Sequence, residues 1–295
     1  MTAIKSLDPL IHEAVSALHI EAGAGHPSSL TLERRVKLLL IKQPVGESNR
    51  MFANMLTVFS MISDIDVSYK TVERLYSDPE VILAIHNLHV LILSKKGVRE
   101  SDATGDGTGY SLTIKRNYES YAQELRDRAE GTDDVITNND RREKGASRRR
   151  LFAYMFALMD LRTRMYMAYG SSMKSEKDAF DKAMGMVHDI DIDSVRLDRY
   201  YSTPAYVSRF GGKVYIMPKR GSTLKGPQKW KDTMKEFVQN TMEYLEQYHK
   251  RSNSEAGFAA DKKMLGWGIA QRRDDRIDSA LFCTGLWHNL FNFDR

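Results

Sequence analysis

The sequence predicts an α/β protein in which a mixed sheet flanked by helices follows an N-terminal all-helical region. Residues 1 to 97 carry apolar side chains at helical intervals, as in Met51–Ile62, and lack the alternation of strands. From Val98 the pattern changes to short apolar or β-branched runs, with an amphipathic helix among them and further helices after them. We therefore divide the chain into a helical region, 1–97, and an α/β domain, 98–295.

In the helical region, capping residues mark where helices begin and end. Ser68 is a typical N-cap for a helix that continues to Tyr76. The next helix, Glu80–Leu93, ends near Gly97, which suits a helix C-terminus. A helix-turn-helix would present Tyr69, Lys70 and Arg74 to DNA. The simpler alternative is a helical bundle that packs on the catalytic core or on a second subunit, because the turn lacks a clear glycine.

The α/β domain begins with strands and ends with helices. The segment Asp102–Tyr110 is expected to be a glycine-rich strand end, followed by the extended run Ser111–Lys115. The other expected strands are Leu151–Asp160, Arg162–Tyr169, Val195–Leu197 and Lys213–Met217. The expected helices include the amphipathic Ser175–His188 and the apolar closing segment Ile277–Phe293. Residues 125 to 150 are strongly charged and are expected to form a loop. The turn residues are expected to include Asp160, Asp191 and Asp193.

Composition narrows the classes of function. The net charge of +5 and the pI near 9.1 suit a polyanionic partner. A single cysteine, Cys283, excludes a disulfide framework and a cysteine-rich zinc site. The longest apolar runs, such as Val36–Ile41, are too short to span a bilayer, and the N-terminus does not resemble a signal peptide. We expect a cytoplasmic protein with no membrane partner.

A quartet of spaced residues is the most informative motif. Tyr248, Arg251, Glu255 and Lys262 stand at intervals that return to one face of a helix. A carboxylate flanked by cations stays ionised, so Glu255 could hold a divalent metal while Arg251 and Lys262 hold phosphates. The alternative is a solvated helix with incidental ion pairs.

Two acidic segments precede the quartet. In 101–111, Asp106 is followed by Gly107, Thr108 and Gly109, and we prefer it to Asp102, which also precedes a small residue, threonine and glycine. In 194–201, a short strand ends in Asp198 with aromatic residues directly after it. The glycines beside Asp106 would let a substrate backbone approach, although Gly-Asp-Gly is also common in turns. Their spacing matches neither a dinucleotide-binding nor a Walker motif.

In this order, the three segments resemble the signature of insertion-sequence DDE transposases that carry Tyr, Arg, Glu and Lys at these intervals (YREK). The likeness extends from about Val98 to the C-terminus. It implies a ribonuclease H-like catalytic domain in which Asp106, Asp198 and Glu255 are the catalytic and metal-binding acids. It also implies two Mg²⁺ ions, for which Mn²⁺ substitutes, because such ions activate water and stabilise the departing oxygen.

The resemblance further implies a DNA transposase, a metal-dependent nuclease and strand transferase that cleaves transposon ends and joins them to target DNA. Its partner would be double-stranded DNA, contacted by Tyr248, Arg251 and Lys262 and bound by a homodimer in the nucleoid. Two alternatives stay open. One is a ribonuclease H-like nuclease that does not join strands, and the other is a domesticated, inactive DNA-binding protein.

Basic segments offer further contacts to DNA. The stretch Lys213–Lys235 could neutralise phosphates, and its candidate DNA-binding residues are Lys219, Arg220, Lys225 and Lys229. Trp230 stands among these cations, where it could stack on an unpaired base or anchor a helix in the core. A second cluster comprises Arg141, Arg142 and 148–150. A solvated basic loop is the alternative for both segments.

Overall fold

The computed structural model describes residues 2–20, 30–46, 49–63, 67–113, 152–187 and 190–293. Its first five helices are α1 (Thr2–Ser16), α2 (Leu32–Val45), α3 (Asn49–Ser63), α4 (Tyr69–Leu75) and α5 (Pro79–Lys95). The prediction of a helical N-terminal region is confirmed over its described residues. Ser68 caps α4 as expected, because its side chain accepts a hydrogen bond from the Thr71 amide at 3.2 Å.

From residue 100 onward, three successive strands are followed by a mixture of helices and strands. The strands are β1 (Glu100–Leu112), β2 (Phe152–Asp160), β3 (Tyr166–Ser172), β4 (Asp191–Leu197), β5 (Lys213–Ile216) and β6 (Gly268–Ile269). The helices are α6 (Glu176–Met186), α7 (Pro204–Val207), α8 (Gln228–Gln239), α9 (Thr241–His249), α10 (Ser252–Leu265) and α11 (Asp274–Phe293), with a short 3₁₀ turn at Arg199–Tyr201.

The sheet is mixed, which confirms the predicted fold class. Its strand order is β3-β2-β1-β4-β5, and β6 pairs with the far end of β1. The first three strands are antiparallel neighbours, whereas β4 and β5 run parallel to β1. The crossover from β3 to β4 contains α6, as a parallel connection requires. Helices therefore flank a sheet whose central strand is β1.

The N-terminal helices pack on the sheet and on α11 and share one continuous buried core with them. The indole N–H of Trp287 in α11 donates to the carbonyl oxygen of Leu40 in α2 at 2.8 Å. The ring of His89 in α5 lies 3.1 Å from the carbonyl oxygen of Met167 in β3. Packing on the core thus agrees with the simpler interpretation of this region. A role for the exposed Tyr69, Lys70 and Arg74 in DNA binding stays a prediction.

Three element boundaries differ from the sequence prediction. The glycine-rich segment around Asp106 is not a strand end, because β1 continues as one strand of 13 residues. The second hairpin strand begins at Tyr166, because the Asp160 carboxylate accepts the Thr163 amide at 2.7 Å and Arg164 adopts a left-handed φ of 62°. The expected turn residues Asp191 and Asp193 lie within β4 instead. The predicted loop at 125–150 lies outside the described residues.

On each edge strand of the main sheet, one residue is bonded through its backbone to a side chain from a helix. In α11, Asn289 bonds the backbone N–H and C=O of Tyr166 on β3 at 2.7 and 2.9 Å. In α9, the Tyr244 hydroxyl accepts the amide of Ile216 on β5 at 2.7 Å. These contacts occupy backbone groups that would otherwise pair with another chain. No helix among the described residues has the length and apolarity needed to cross a bilayer.

Candidate active site

The register of β1 and β4 brings two predicted acids to neighbouring positions. Gly105 on β1 pairs with Leu197 on β4, so Asp106 and Asp198 follow directly on adjacent parallel strands. Adjacent strands lie about 4.8 Å apart, which places both carboxylates in one small region. Asp198 ends the strand, and its side chain accepts the Tyr200 amide at 3.2 Å. The predicted position of Asp198 at a strand end is confirmed.

The third acid reaches the same place from α10, and one arginine contacts all three. The Arg251 guanidinium lies 3.3 Å from Asp106 Oδ2 and 3.8 Å from Asp198 Oδ1 through Nη1. Its Nη2 lies 2.8 Å from Glu255 Oε1. Residues far apart in the sequence therefore converge as a cluster, which we call the acidic cluster (Asp106, Asp198 and Glu255).

The quartet does not lie on one uninterrupted helix. Tyr248 belongs to α9, whereas Arg251 is the N-cap residue of α10. In the first turn of α10, the side chains of Ser252, Asn253 and Ser254 donate to the carbonyl oxygens three residues before each, at 3.1, 2.7 and 2.9 Å. Such local bonds compete with the helical ladder and separate the two helices. The break leaves Arg251 at the first turn of α10, beside the acids.

Burial and crowding of like charges distinguish Asp106 from the other two acids. Its side chain is 15% exposed, compared with 38% for Asp198 and 54% for Glu255. Burial raises the pKa of Asp106 to about 6, and the charges of Asp198 and Glu255 reinforce the shift. The Gly107 amide, which donates to Asp106 Oδ1 at 2.9 Å, and Arg251 oppose it. The cluster is therefore stabilised when a cation is near.

The donor set fits a divalent cation, although not in its present arrangement. Three carboxylates supply the oxygen ligands that Mg²⁺ and Mn²⁺ take. Among the residues that the structure describes, no three Asp, Glu, His or Cys side chains are placed to hold one ion as they stand. The acids are instead gathered around the Arg251 guanidinium. Metal binding at this cluster therefore requires Arg251 to withdraw.

The remaining members of the quartet lie beside the acidic cluster. Lys262 Nζ donates to Thr108 Oγ1 at 2.6 Å, and Thr108 lies two residues beyond Asp106 on the same face of β1. Burial lowers the pKa of Lys262. The Tyr248 ring centroid lies 5.9 Å from the Arg251 guanidinium carbon, and burial raises the pKa of its hydroxyl. All four quartet residues thus surround β1 at Asp106.

Sequence reasoning missed one exposed aromatic residue at this site. Trp267, in the turn after α10, is 66% exposed, and its ring centroid lies 4.8 Å from Lys262 Nζ. Its carbonyl oxygen accepts the Ser111 amide at 3.0 Å, which fixes the turn to β1. The signal that was available is the glycine on each side, Gly266 and Gly268, which is typical of a turn that exposes the residue between them.

Asp102 lies on the same side of β1 as Asp106 but belongs to a different set of contacts. Its carboxylate accepts from the Ser194 hydroxyl and lies 3.4 Å from Arg196 Nη1. These partners, led by Ser194, lower the pKa of Asp102. The structure therefore brings Asp106, and not Asp102, together with Asp198 and Glu255.

The glycines beside Asp106 do not leave room for a substrate, in contrast to the expectation from the sequence. A Cβ on Gly105 would lie 2.7 Å from the Phe156 ring and 3.0 Å from Leu197, both buried. A Cβ on Gly107 would collide with the side chain of Glu176, whose carboxylate is bonded to the Tyr201 hydroxyl. On the face of β1 opposite Asp106, side chains from neighbouring elements therefore occupy the space above these glycines.

The basic stretch after β5 is exposed, whereas its tryptophan is not. Lys219, Arg220 and Lys225 face solvent, and Lys219 Nζ donates to the carbonyl oxygen of Tyr200 at 2.8 Å, two residues from Asp198. Trp230 is 3% exposed, and its indole N–H donates to the Thr223 carbonyl oxygen at 2.8 Å. Stacking of Trp230 on a base is therefore wrong, and its role is to anchor α8 in the core.

Lys229 and the arginine cluster are the remaining basic residues predicted to contact DNA. Lys229, at the start of α8, is half-buried, and its Nζ donates to the carbonyl oxygen of Gly211 at 2.6 Å. Its charge is therefore partly engaged within the protein. The arginine cluster at 141–150 lies outside the described residues.

Comparison with known proteins identifies the family. The chain is 40% identical over 292 residues to the probable transposase for insertion sequence element ISA1214 of Archaeoglobus fulgidus, across 98% of this chain and 83% of that protein. No protein-family model matches the chain. Identity at this level along nearly the whole length shows that the chain belongs to the family of insertion-sequence transposases.

Proposed function

We propose that this chain is a DNA transposase of the DDE type, acting as a metal-dependent nuclease and strand transferase. Asp106, Asp198 and Glu255 would be its catalytic and metal-binding residues. Its cofactor would be two Mg²⁺ ions, with Mn²⁺ as a substitute, and its substrates would be transposon ends and target DNA. The observation that carries this proposal is the convergence of three sequence-distant carboxylates on one guanidinium.

The arrangement of charge supports this chemistry. Bound metal ions would supply activation of water and stabilisation of the departing oxygen. The three carboxylates give a site with an excess of negative charge, while Arg251 and Lys262 stand beside it with side chains long enough to reach a phosphate. Tyr248 adds a phenol next to Arg251. Carboxylates that could bind metal ions and cations that could bind phosphates thus lie side by side.

Arg251 would exchange one anionic partner for another during the reaction cycle. Without substrate, its guanidinium neutralises the acidic cluster. A DNA phosphate offers the same guanidinium a bidentate partner, so the arginine can turn toward DNA as cations enter the cluster. Lys262 would move less, because Thr108 holds its amine beside β1.

The exposed cations near Asp198 suggest the path of the DNA. Lys219 Nζ is bonded to the backbone of Tyr200, and Arg220 and Lys225 are exposed in the same basic stretch. Contacts from these residues would provide sequence-independent affinity for double-stranded DNA. Joining two transposon ends requires two active sites, so we propose a homodimer on DNA, within the nucleoid of the cytoplasm.

Cleavage of an end-containing duplex tests the proposal. With Mg²⁺, the wild-type protein should nick the DNA at the element's end, whereas Asp198→Asn should bind the same DNA without nicking it. A pre-cut end offered with target DNA then separates a transposase from a nuclease that does not join strands. Nicking by Asp198→Asn at the wild-type rate would show that the acidic cluster takes no part in the reaction. DNA binding without nicking by the wild type would favour an inactive DNA-binding protein.

A further inference from the structure

The buried face of α10 contains polar residues as well as apolar ones. Its buried residues are Ser254, Phe258, Asp261 and Leu265, whose spacing places them on one side of the helix. A buried polar side chain is unfavourable unless it is hydrogen-bonded, so Ser254 and Asp261 each need a specific partner. Each directly precedes a residue of the candidate active site, Glu255 in one case and Lys262 in the other.

Ser254 is bonded to the strand that carries Asp106. Its Oγ lies 2.8 Å from Thr104 Oγ1, and both residues are fully buried. Ser254 also donates to the carbonyl oxygen of Arg251 at 2.9 Å. Thr104 Oγ1 also lies 3.4 Å from the carbonyl oxygens of Arg196 and Arg251, so either hydroxyl can donate in the contact between Thr104 and Ser254. Thr104 lies two residues before Asp106, so this contact fixes the first turn of α10 against β1.

Asp261 is bonded to two other elements of the core. Its Oδ2 accepts the Tyr166 hydroxyl of β3 at 2.7 Å, and its Oδ1 lies 2.7 Å from His288 Nδ1 of α11. The rings of Tyr166 and His288 are stacked, with centroids 3.7 Å apart and an angle of 10° between planes. Both oxygens of Asp261 are therefore directed by rigid aromatic groups.

The network around Asp261 contains one shared proton. His288 Nε2 lies 2.7 Å from the carbonyl oxygen of Arg164, which can only accept, so Nε2 carries a hydrogen. One further proton must lie between His288 Nδ1 and Asp261 Oδ1, because two bare acceptors would otherwise face each other. An asparagine at 261 could supply that hydrogen from its amide nitrogen and still accept from Tyr166.

We infer that Ser254 and Asp261 are positioning residues that set the rotation of α10 and thereby the places of Glu255 and Lys262. This inference rests on the proposed function. Apolar contacts are non-directional and would let a helix roll, whereas hydrogen bonds have a defined geometry. Ser254 and Asp261, which we call the first and second anchors, lie seven residues, or about two turns, apart on one face of α10. Together they fix the tilt of the helix as well as its rotation.

Glu255 depends on these anchors because its carboxylate is exposed and its ion-pair partner among the described residues is Arg251. Its side chain is 54% exposed and contacts Arg251, which must itself move when a metal binds. A small roll of α10 would therefore carry the Glu255 carboxylate away from Asp106 and Asp198 without unfolding the protein. The anchors act through Glu255 and touch neither DNA nor the reacting atoms.

Paired variants at the first anchor test this inference. Ser254→Ala and Thr104→Val remove one hydroxyl each, whereas Thr104→Ser retains it. In full-length protein at a temperature where all variants are folded, the first two should lower the single-turnover cleavage rate about tenfold or more. DNA affinity should fall much less than the rate, because the exposed cations Lys219, Arg220 and Lys225 lie outside α10. Thr104→Ser should cleave at nearly the wild-type rate. Ala259→Ser, on the exposed side of α10, is the matched control.

At the second anchor, Asp261, two substitutions by side chains of similar size can be compared. Asp261→Asn can keep every hydrogen bond of the network and should cleave at nearly the wild-type rate. Asp261→Leu removes them and should lower the rate. A readout independent of activity is the affinity for Mn²⁺, measured by the electron paramagnetic resonance signal of the free ion. Asp261→Leu and Ser254→Ala should weaken Mn²⁺ binding, and Asp261→Asn should not.

The outcomes separate this inference from the proposed function. Folded Ser254→Ala and Thr104→Val proteins that cleave and bind Mn²⁺ like the wild type would overturn the inference while leaving the proposed function intact. These two variants decide the matter if Asp261→Leu fails to fold. A wild-type protein that neither binds Mn²⁺ nor cleaves DNA would overturn the proposed function itself.

Discussion

Arg251 and Asp106 lie 145 residues apart in the sequence, yet Arg251 Nη1 is 3.3 Å from Asp106 Oδ2. The same nitrogen is 3.8 Å from Asp198, and the other terminal nitrogen of the guanidinium contacts Glu255. One cation thus neutralises acids that would otherwise repel each other. A metal ion and this guanidinium compete for the same oxygens, and several consequences of that competition can be measured.

Replacing Arg251 should strengthen metal binding in the absence of DNA. We expect Arg251→Gln to bind Mn²⁺ about tenfold more tightly than the wild type, because three carboxylates lose a competing counter-ion. The same variant should cleave DNA more slowly, since it can no longer hold a phosphate with a guanidinium. Titration calorimetry with Mn²⁺ measures the first effect. Lys263→Gln, an exposed change on the same helix, is the control, and equal affinity in Arg251→Gln and wild type would contradict the competition.

The raised pKa of Asp106 predicts a specific pH dependence of stability. The folded protein holds a proton on Asp106 up to about pH 6, whereas an unfolded aspartate releases it near pH 4. Because the folded state binds more protons in this window, metal-free protein loses stability as the pH rises from about 4 to 6. Asp106→Asn should therefore be more stable than the wild type at pH 7, on the order of 2 kcal/mol, and equal to it below pH 4.

Asp102→Asn is a control for which the opposite change in stability is expected at pH 7. The Ser194 hydroxyl and Arg196 lower its pKa, so its carboxylate stabilises the folded state above pH 4 and loses that effect as the pH falls. Asp102→Asn should therefore be less stable than the wild type at pH 7. Urea unfolding at pH 4, 5, 6 and 7 measures both variants. A destabilised Asp106→Asn at pH 7 would show that the Arg251 contact outweighs burial.

Much of the fold follows from the sequence because the relevant signals are local. Helical spacing located α3, α5 and α11, and apolar runs located β2 and β4. The strand end at Asp198 was expected because segment 194–201 resembles the second acidic segment of the family, a short strand that ends in Asp with an aromatic residue soon after. Local patterns of this kind depend on neighbouring residues and need no knowledge of the tertiary fold.

The features that sequence reasoning missed depend on contacts between distant segments. A strand with three glycines, as in β1, is unfavourable alone and forms here because Phe156, Leu197 and Glu176 fill the space of the missing side chains. The break between α9 and α10 interrupts the helical stripe that the spacing of the quartet predicts. The contacts of Arg251 with three acids could not be read from a pattern that assigned it to phosphate. The burial of Trp230 and the exposure of Trp267 are likewise tertiary.

Salt dependence should reveal the exposed cations near Asp198. Removing one phosphate-binding cation lowers the slope of log affinity against log salt by about 0.9, so the triple change of Lys219, Arg220 and Lys225 to Gln should lower it by up to about 2.7. Lys229→Gln should change the slope less, because that amine is bonded to the backbone of Gly211. Fluorescence anisotropy of labelled duplex over a series of salt concentrations measures the slope. An unchanged slope in the triple variant would place the DNA elsewhere.

Tryptophan emission should report DNA at the acidic cluster. Of the three tryptophans, Trp230 and Trp287 are buried and Trp267 is 66% exposed beside Lys262. DNA bound at this site should quench or shift the emission of Trp267, and Trp267→Phe should abolish that change. Trp230→Phe should preserve it while losing about 1 kcal/mol of stability with its buried hydrogen bond. Quenching that persists in Trp267→Phe would argue against DNA at this position.

The most direct measurement is anomalous diffraction from crystals of the protein with DNA and Mn²⁺. We predict manganese peaks within ligand distance of Asp106, Asp198 and Glu255, with the Arg251 guanidinium turned away from the acids and toward a phosphate. Manganese bound at other residues in a cleavage-competent complex, with Arg251 still holding the three carboxylates, would contradict the central claim that these acids form the metal site.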